Sequence, residues 1–247
     1  MKKCAFLFLP FLLLLFACHS KQTPAKNTEA SGDKKPSETF TAQGEEILEQ
    51  PGISNVKAAN KETKESSTLF HRGLELIQAQ NYEEGIGYLN RALEADPENS
   101  RIFFNRGFAF YSMKKYDEAK TDFMRTLQIN PSDTMALLYS GLTKYYQNDF
   151  AGAAQDYSDA ISKSKGFSKA YHNRGIARGQ LRDYPGAVED FTTAINLDPN
   201  NLDAYYNRGL AKFFERDTLM ACTDWTQAAR MGSASAQKAL EIYCNAR

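Results

Sequence analysis

Cysteine and histidine are the side chains best suited to covalent or metal chemistry, and this chain has four of one and three of the other. Cys4 and Cys18 flank an apolar run near the N-terminus, Cys222 and Cys244 stand near the C-terminus, and His19, His71 and His172 are scattered. Metal-assisted hydrolysis would need a His-Glu-x-x-His run, acyl transfer a Gly-x-Ser-x-Gly turn, and dithiol chemistry a Cys-x-x-Cys pair; none occurs. Gly85-Ile86-Gly87 lacks the rest of any phosphate-binding loop. Aspartate and glutamate are abundant but fall on helical faces of the kind water solvates. The sequence therefore assigns no catalytic residue, no metal ligand and no cofactor, and the expectation is a protein that is not an enzyme.

Lysine plus arginine equals aspartate plus glutamate, 30 each, and no long basic run exists, which argues against nucleic acid as a partner. The first residues differ from the rest: Lys2 and Lys3 precede an apolar stretch from Cys4 to Cys18 containing Pro10. A membrane span needs roughly 20 apolar residues, so this shorter run reads as an export signal. Its end, Leu15-Phe16-Ala17-Cys18, resembles the lipobox of bacterial lipoproteins, with an apolar residue three before a cysteine and a small one just before it. That resemblance implies a signal peptide over 1–17, cleavage before Cys18, and lipid (palmitate and related acyl chains) on Cys18. The other reading is an ordinary secretory signal cut near Ser20. His19 stands where some lipoproteins carry the aspartate that retains them at the inner membrane, so the expected location is the cell envelope, with the outer membrane favoured.

Residues 18–65 are rich in Lys, Glu, Ser, Thr, Asn and Pro and poor in large apolar side chains. Such a segment buries too little to offset its ordering entropy. Read as a flexible tether, it spans about 40 Å root-mean-square.

Beyond it the chain repeats. In a 34-residue frame starting at Ser66, position 8 is Gly73, Gly107, Gly141, Gly175 and Gly209. Position 20 is Gly85, Ala119, Ala153, Ala187 and Ala221, and position 24 is Leu89, Phe123, Tyr157, Phe191 and Trp225. Position 17 is aromatic in four frames, and Pro97, Pro131 and Pro199 fill position 32. Small residues at 8 and 20 let two antiparallel helices cross closely; positions 17 and 24 lie two turns apart on one buried face. Proline after the second helix stops it.

This pattern resembles the tetratricopeptide repeat family, whose period it shares. The resemblance implies an all-α solenoid of five helix-turn-helix units over 66–99, 100–133, 134–167, 168–201 and 202–235. Ser235 to Arg247 carries Ala239, Leu240, Ile242 and Tyr243 at helical spacing and reads as a capping helix, placed at 236–247. A single hairpin cannot cover its apolar face, so stability should be nearly a sum over units and interfaces.

The frame gives the remaining candidates their places. Arg at position 7 (Arg72, Arg106, Arg174, Arg208) and Asp at position 23 (Asp122, Asp156, Asp190, Asp224) read as ion pairs between the two helices, lapsing at Ser140 and Tyr88. Cys222 lies in a second helix and Cys244 in the cap that packs on it, so they form a candidate disulfide; two free buried thiols are the alternative. Closing a loop of roughly 21 residues would stabilise by about 3 kcal/mol. By resemblance to the family, the concave face comes from first-helix positions 2, 5, 6, 9, 12 and 13. There Asn105, Asn173 and Asn207 would present amide rungs to an extended peptide, beside Phe104, Tyr111, Tyr145, Tyr206 and Lys169. No complete chaperone-tail clamp is present, since position 9 is never Asn. The expected function is a lipid-anchored scaffold or assembly factor that binds a protein or peptide. The alternative is a structural protein that self-associates edge to edge through its terminal repeats.

Overall fold

The computed structural model describes residues 64–244; the signal, Cys18, most of the tether and the last three residues lie outside the described part. Among the described residues there are eleven α-helices and no strand. They run α1 Lys64–Gln78, α2 Tyr82–Ala95, α3 Ser100–Ser112, α4 Tyr116–Ile129, α5 Thr134–Tyr146 and α6 Phe150–Lys163. Then come α7 Ser168–Gln180, α8 Tyr184–Leu197, α9 Leu202–Phe214, α10 Thr218–Arg230 and α11 Ala234–Tyr243. Odd and even helices pair as hairpins, each even helix packs on the next odd one, and α3, α5, α7 and α9 also rest on the odd helix before them. This is the tetratricopeptide solenoid that the 34-residue period predicts.

Each hairpin closes the same way. Position 15 (Gln80, Lys114, Asn148, Arg182, Arg216) takes a left-handed backbone with φ between 60° and 69°. The amide of position 16 then donates to the carbonyl of position 11, five residues back, as in Asp183 N to Arg178 O at 2.9 Å. This satisfies carbonyls that the helix end leaves without partners. In the last three hairpins an aspartate starts the next helix: Asp149 Oδ1 takes the Gly152 amide at 2.9 Å, Asp183 Oδ1 the Gly186 amide at 3.1 Å and Asp217 Oδ1 the Met220 amide at 3.1 Å.

The core explains the small residues. The position-24 side chains Leu89, Phe123, Tyr157, Phe191 and Trp225 are fully buried, and each lies on the position-8 glycine of its own hairpin. A Cβ at Gly141 would stand 2.5 Å from the Tyr157 ring, and one at Gly209 would stand 2.6 Å from Trp225 Nε1. The glycine thus makes room for a ring as well as for a close helix crossing. A second stripe, positions 3, 7 and 10, faces the preceding repeat: Ala170 packs with Ala160 and Ile161, and Ala204 with Ala194 and Ile195. In α1, the first helix among the described residues, this stripe is Thr68, Arg72 and Glu75, all exposed.

Two expected boundaries move. The helix of the first hairpin begins at Lys64, so the last two residues given to the tether are helical. The cap begins at Ala234, not at 236. Its connection is Met231–Ser233, three residues where the other repeats use four, and Gly232 adopts φ 102° to make the shorter turn. Cys244 consequently sits two residues later along its helix than the 34-residue frame places it.

Candidate functional site

The charged ladder is built from the inside of each hairpin. Arg106, Arg174 and Arg208 each grip the position-23 aspartate with two nitrogens: Asp122 at 2.8 and 2.7 Å, Asp190 at 2.9 and 2.6 Å, Asp224 at 2.9 and 2.7 Å. The remaining nitrogen reaches position 25 of the preceding repeat, Asn90 at 2.7 Å, Ser158 at 3.1 Å and Thr192 at 3.2 Å. The guanidinium also lies over the ring at position 4, as Arg174 does over Tyr171. One arginine therefore ties three helices together, and each of its three nitrogens is engaged within the fold. The third hairpin reaches the same end differently: Ser140 Oγ donates to Asp156 at 2.7 Å, and Lys144 one turn on supplies the charge at 2.8 Å. Position 11 adds a second cation in the last two hairpins, Arg178 on Asp190 at 3.0 Å and Lys212 on Asp224 at 2.8 Å. Arg72, facing Tyr88 in place of aspartate, pairs with exposed Glu75. These ions hold the fold and present no binding surface.

The amide rungs are placed elsewhere than the family's groove suggests. Asn105, Asn173 and Asn207 are buried, and so are Phe104 and Tyr111. Asn105 Nδ2 donates to the Arg101 carbonyl at 2.7 Å and Asn173 Nδ2 to the Lys169 carbonyl at 3.0 Å, one turn back in the same helix. Asn207 Nδ2 lies 3.3 Å from His172 Nε2 on the neighbouring first helix. Phe104 and Tyr111 pack in a ring cluster with Tyr139. The physical reason is the tight approach of successive first helices, which closes positions 5 and 6 over. Asn173 Oδ1, Asn207 Oδ1 and His172 Nδ1 are enclosed without a hydrogen-bond partner among the described residues. Burial pushes the His172 imidazole down to about 4, with Asp203 opposing weakly. Of the expected groove residues, Tyr145, Tyr206 and Lys169 remain within a ligand's reach.

Lys169 leads to a site the frame alone did not mark. A cleft of about 460 Å³ opens between the N-terminal ends of α5, α7 and α9. Met135, Lys169 and Asp203, the position-2 residues of three consecutive repeats, line it with Phe167, Leu202 and Asp198. Lys169 is partly buried and makes no ion pair among the described residues, and it stands in the first turn of a helix, where a cation is least favoured. Phe167 occupies the N-cap position of α7 and makes no cap hydrogen bond; Asn99, Asp133 and Asn201 cap the equivalent ends of α3, α5 and α9. The one signal for this site in the sequence was the loss of the proline and cap residue at Lys165-Gly166-Phe167. Apolar walls with one cation and two carboxylates suit an amphipathic protein segment.

At the far end, Cys222 and Cys244 are joined, Sγ to Sγ 2.00 Å and Cα to Cα 5.9 Å. Among the described residues no cluster of three or more metal-ligating side chains exists, and no helix is long and apolar enough to cross a membrane.

Comparison with known proteins agrees with this architecture. Family models described as tetratricopeptide repeat match residues 66–99 and 100–133, and one described as TPR repeat matches 180–213. The last match straddles two hairpins, starting at position 13 of the fourth repeat. Among curated proteins none matches the sequence significantly. Among solved structures, MamA (residues 41 to the end) from Desulfovibrio magneticus RS-1 superposes with a TM-score of 0.66 at 17% identity, covering 69% of this chain and 97% of that one. YrrB, described as a TPR protein with an unusual peptide-binding site, gives 0.64 at 18% identity, covering 74% and 94%. PilF of Pseudomonas aeruginosa gives 0.63 at 21% identity, covering 71% and 80%. These likenesses establish the fold, and the three repeat matches identify the chain as a tetratricopeptide repeat protein.

Proposed function

We propose that this chain is a lipid-anchored scaffold of the cell envelope that holds a segment of another protein in the cleft between α5, α7 and α9. The observation that carries the reading is the cleft itself, whose apolar walls Met135, Phe167 and Leu202 surround Lys169, a partly buried residue without an ion pair among the described residues. Apolar walls with a few convergent polar groups are the usual form of a binding site. The partner segment then brings a carboxylate to Lys169, while its apolar side chains enter between Met135 and Phe167. YrrB, similar in fold, is itself described by a peptide-binding site, which supports a ligand role for such an array. The lipid would sit on Cys18, and the 48 residues of 18–65 would give the array a reach of about 40 Å from the membrane.

Photo-crosslinking in cells from position 202, on the cleft wall beside Lys169, with position 91 on the exposed side of α2 as control, tests the cleft. A partner trapped from 202, absent from 91, and lost with the Lys169→Glu change supports it; identical products from both positions refute it. Labelling with a radioactive fatty acid tests the anchor: the label is expected on the wild type and absent from Cys18→Ser. Edge-to-edge assembly through head-to-tail stacking is disfavoured by α1. Its outward stripe carries Glu75 where the repeats that do stack carry Ala109, Thr143, Ala177 and Ala211, all buried.

A further inference from the structure

The helix that ends the array is held differently from the helices it imitates. α9 is fixed to its neighbours by Arg208, which binds Asp224 and Thr192, by Lys212 on Asp224, and by packing on both α7 and α8. α11 packs on α10, reaches α9 through the Phe213 and Tyr243 rings at 4.9 Å, and carries no ion pair among the described residues. Its buried contacts are Ala236 and Ala239, with Leu240 and Tyr243 partly covered. This is a small seat for a ten-residue helix, since isolated helices this short do not persist in water. Yet it covers Leu210, Phe213 and Trp225, the apolar end of the last repeat. The remaining tie is covalent, the Cys222 to Cys244 bond, and both cysteines are partly exposed.

We infer that this disulfide is a redox latch: dithiol reduction frees α11 and opens the last apolar face of the array, and exchange with a disulfide oxidant closes it by the reverse steps. A thiolate of the dithiol attacks one sulfur and forms a mixed disulfide, and the other cysteine leaves as a thiolate that takes a proton. The second thiol of the reductant then displaces the first cysteine, so two electrons and two protons pass to Cys222 and Cys244 while the dithiol becomes a cyclic disulfide. The other hairpins have no such release: they hold no disulfide among the described residues, and in the second, fourth and fifth the first helix is clasped by an Arg–Asp pair that reduction leaves intact.

Trp225, the only tryptophan, lies under the latch and reports on it. The experiment uses the full-length chain in detergent, with and without dithiothreitol, and mass spectrometry of alkylated cysteines confirms reduction. Trypsin is added in trace amounts. Cleavage after Lys238, within α11, is expected to accelerate on the order of a hundredfold on reduction, the equivalent of the loop-closure entropy released. Trp225 emission is expected to shift to the red. The double change Cys222→Ser with Cys244→Ser should behave as the reduced wild type, with or without reductant. Cleavage after Lys163, in the exposed last turn of α6, is the internal reference. The latch is refuted if verified reduction leaves Lys238 cleavage and Trp225 emission unchanged. It is also refuted if Lys163 cleavage rises in parallel, since the bond would then support the whole array and not its last helix.

Discussion

The third and second hairpins keep the same buried aspartate by different means. In the second, Asp122 depends on Arg106 alone for a counter-charge, and position 11 is Phe110. In the third, the arginine is gone, Ser140 supplies a hydrogen bond and Lys144 supplies the charge. The contrast teaches that what the fold requires at this point is a satisfied carboxylate between two helices, and a neighbouring position can meet the need. It also shows where the rule is relaxed. The third hairpin departs again at its exit, where Lys165, Gly166 and Phe167 stand in place of proline and a capping residue. There the cleft opens. Places where local consistency is given up are often places where a function is held.

Three measurements break or sharpen that comparison. The largest effect is expected from Arg106→Ala, which leaves Asp122 buried without a cation. Urea unfolding should lose about 3–4 kcal/mol. Arg174→Ala should lose clearly less, because Arg178 still holds Asp190 at 3.0 Å. Equal losses would show that the second cation carries no weight.

Next comes position 5, where the third hairpin has Leu138 and the fourth His172, both fully buried. His172 titrates near 4 in the folded chain, below its ordinary 6.5, because burial disfavours the imidazolium. The unfolded chain therefore binds the proton first. The neutral form's stability is complete above about pH 6.5, declines as pH falls from there to about 4, and is flat below, for a total of about 3 kcal/mol. Asp203 faces the ring and moderates the loss. His172→Leu installs the third hairpin's own residue, and the wild-type decline relative to it should vanish. Parallel pH profiles would show that the imidazole is solvated.

The smallest effect is expected from Ser140→Ala. Asp156 loses one hydrogen bond but keeps Lys144, so the cost is about 1 kcal/mol. A cost near that of Arg106→Ala would mean that Lys144 does not stand in for the arginine.

Much of this was legible beforehand. Glycine at position 8 and a large apolar residue at position 24 recur in every frame, and a close helix crossing over a buried face follows from that spacing; that the position-24 side chain rests on the glycine came from the structure. The pairing of Arg174 with Asp190 could also be read, because a fixed separation of 16 residues recurs with opposite charge. The third partners at position 25 could not, because Asn90, Ser158 and Thr192 share little but a side-chain oxygen. Gly232 marked the early turn into the cap, but an unbroken 34-residue count hid it.

The sequence by itself determined the architecture, since a period of 34 with small and aromatic residues in register leaves a stack of hairpins as the one way to bury every apolar stripe. The tertiary structure alone decided which polar residues are enclosed and which line a cleft. Asn173 and Lys169 lie one turn apart on one helix, yet the first is enclosed by the approach of the neighbouring first helix and the second is left in a cleft. Helical spacing fixes direction around an axis. How closely the next axis approaches depends on side chains 34 residues away, and that distance separates core from site.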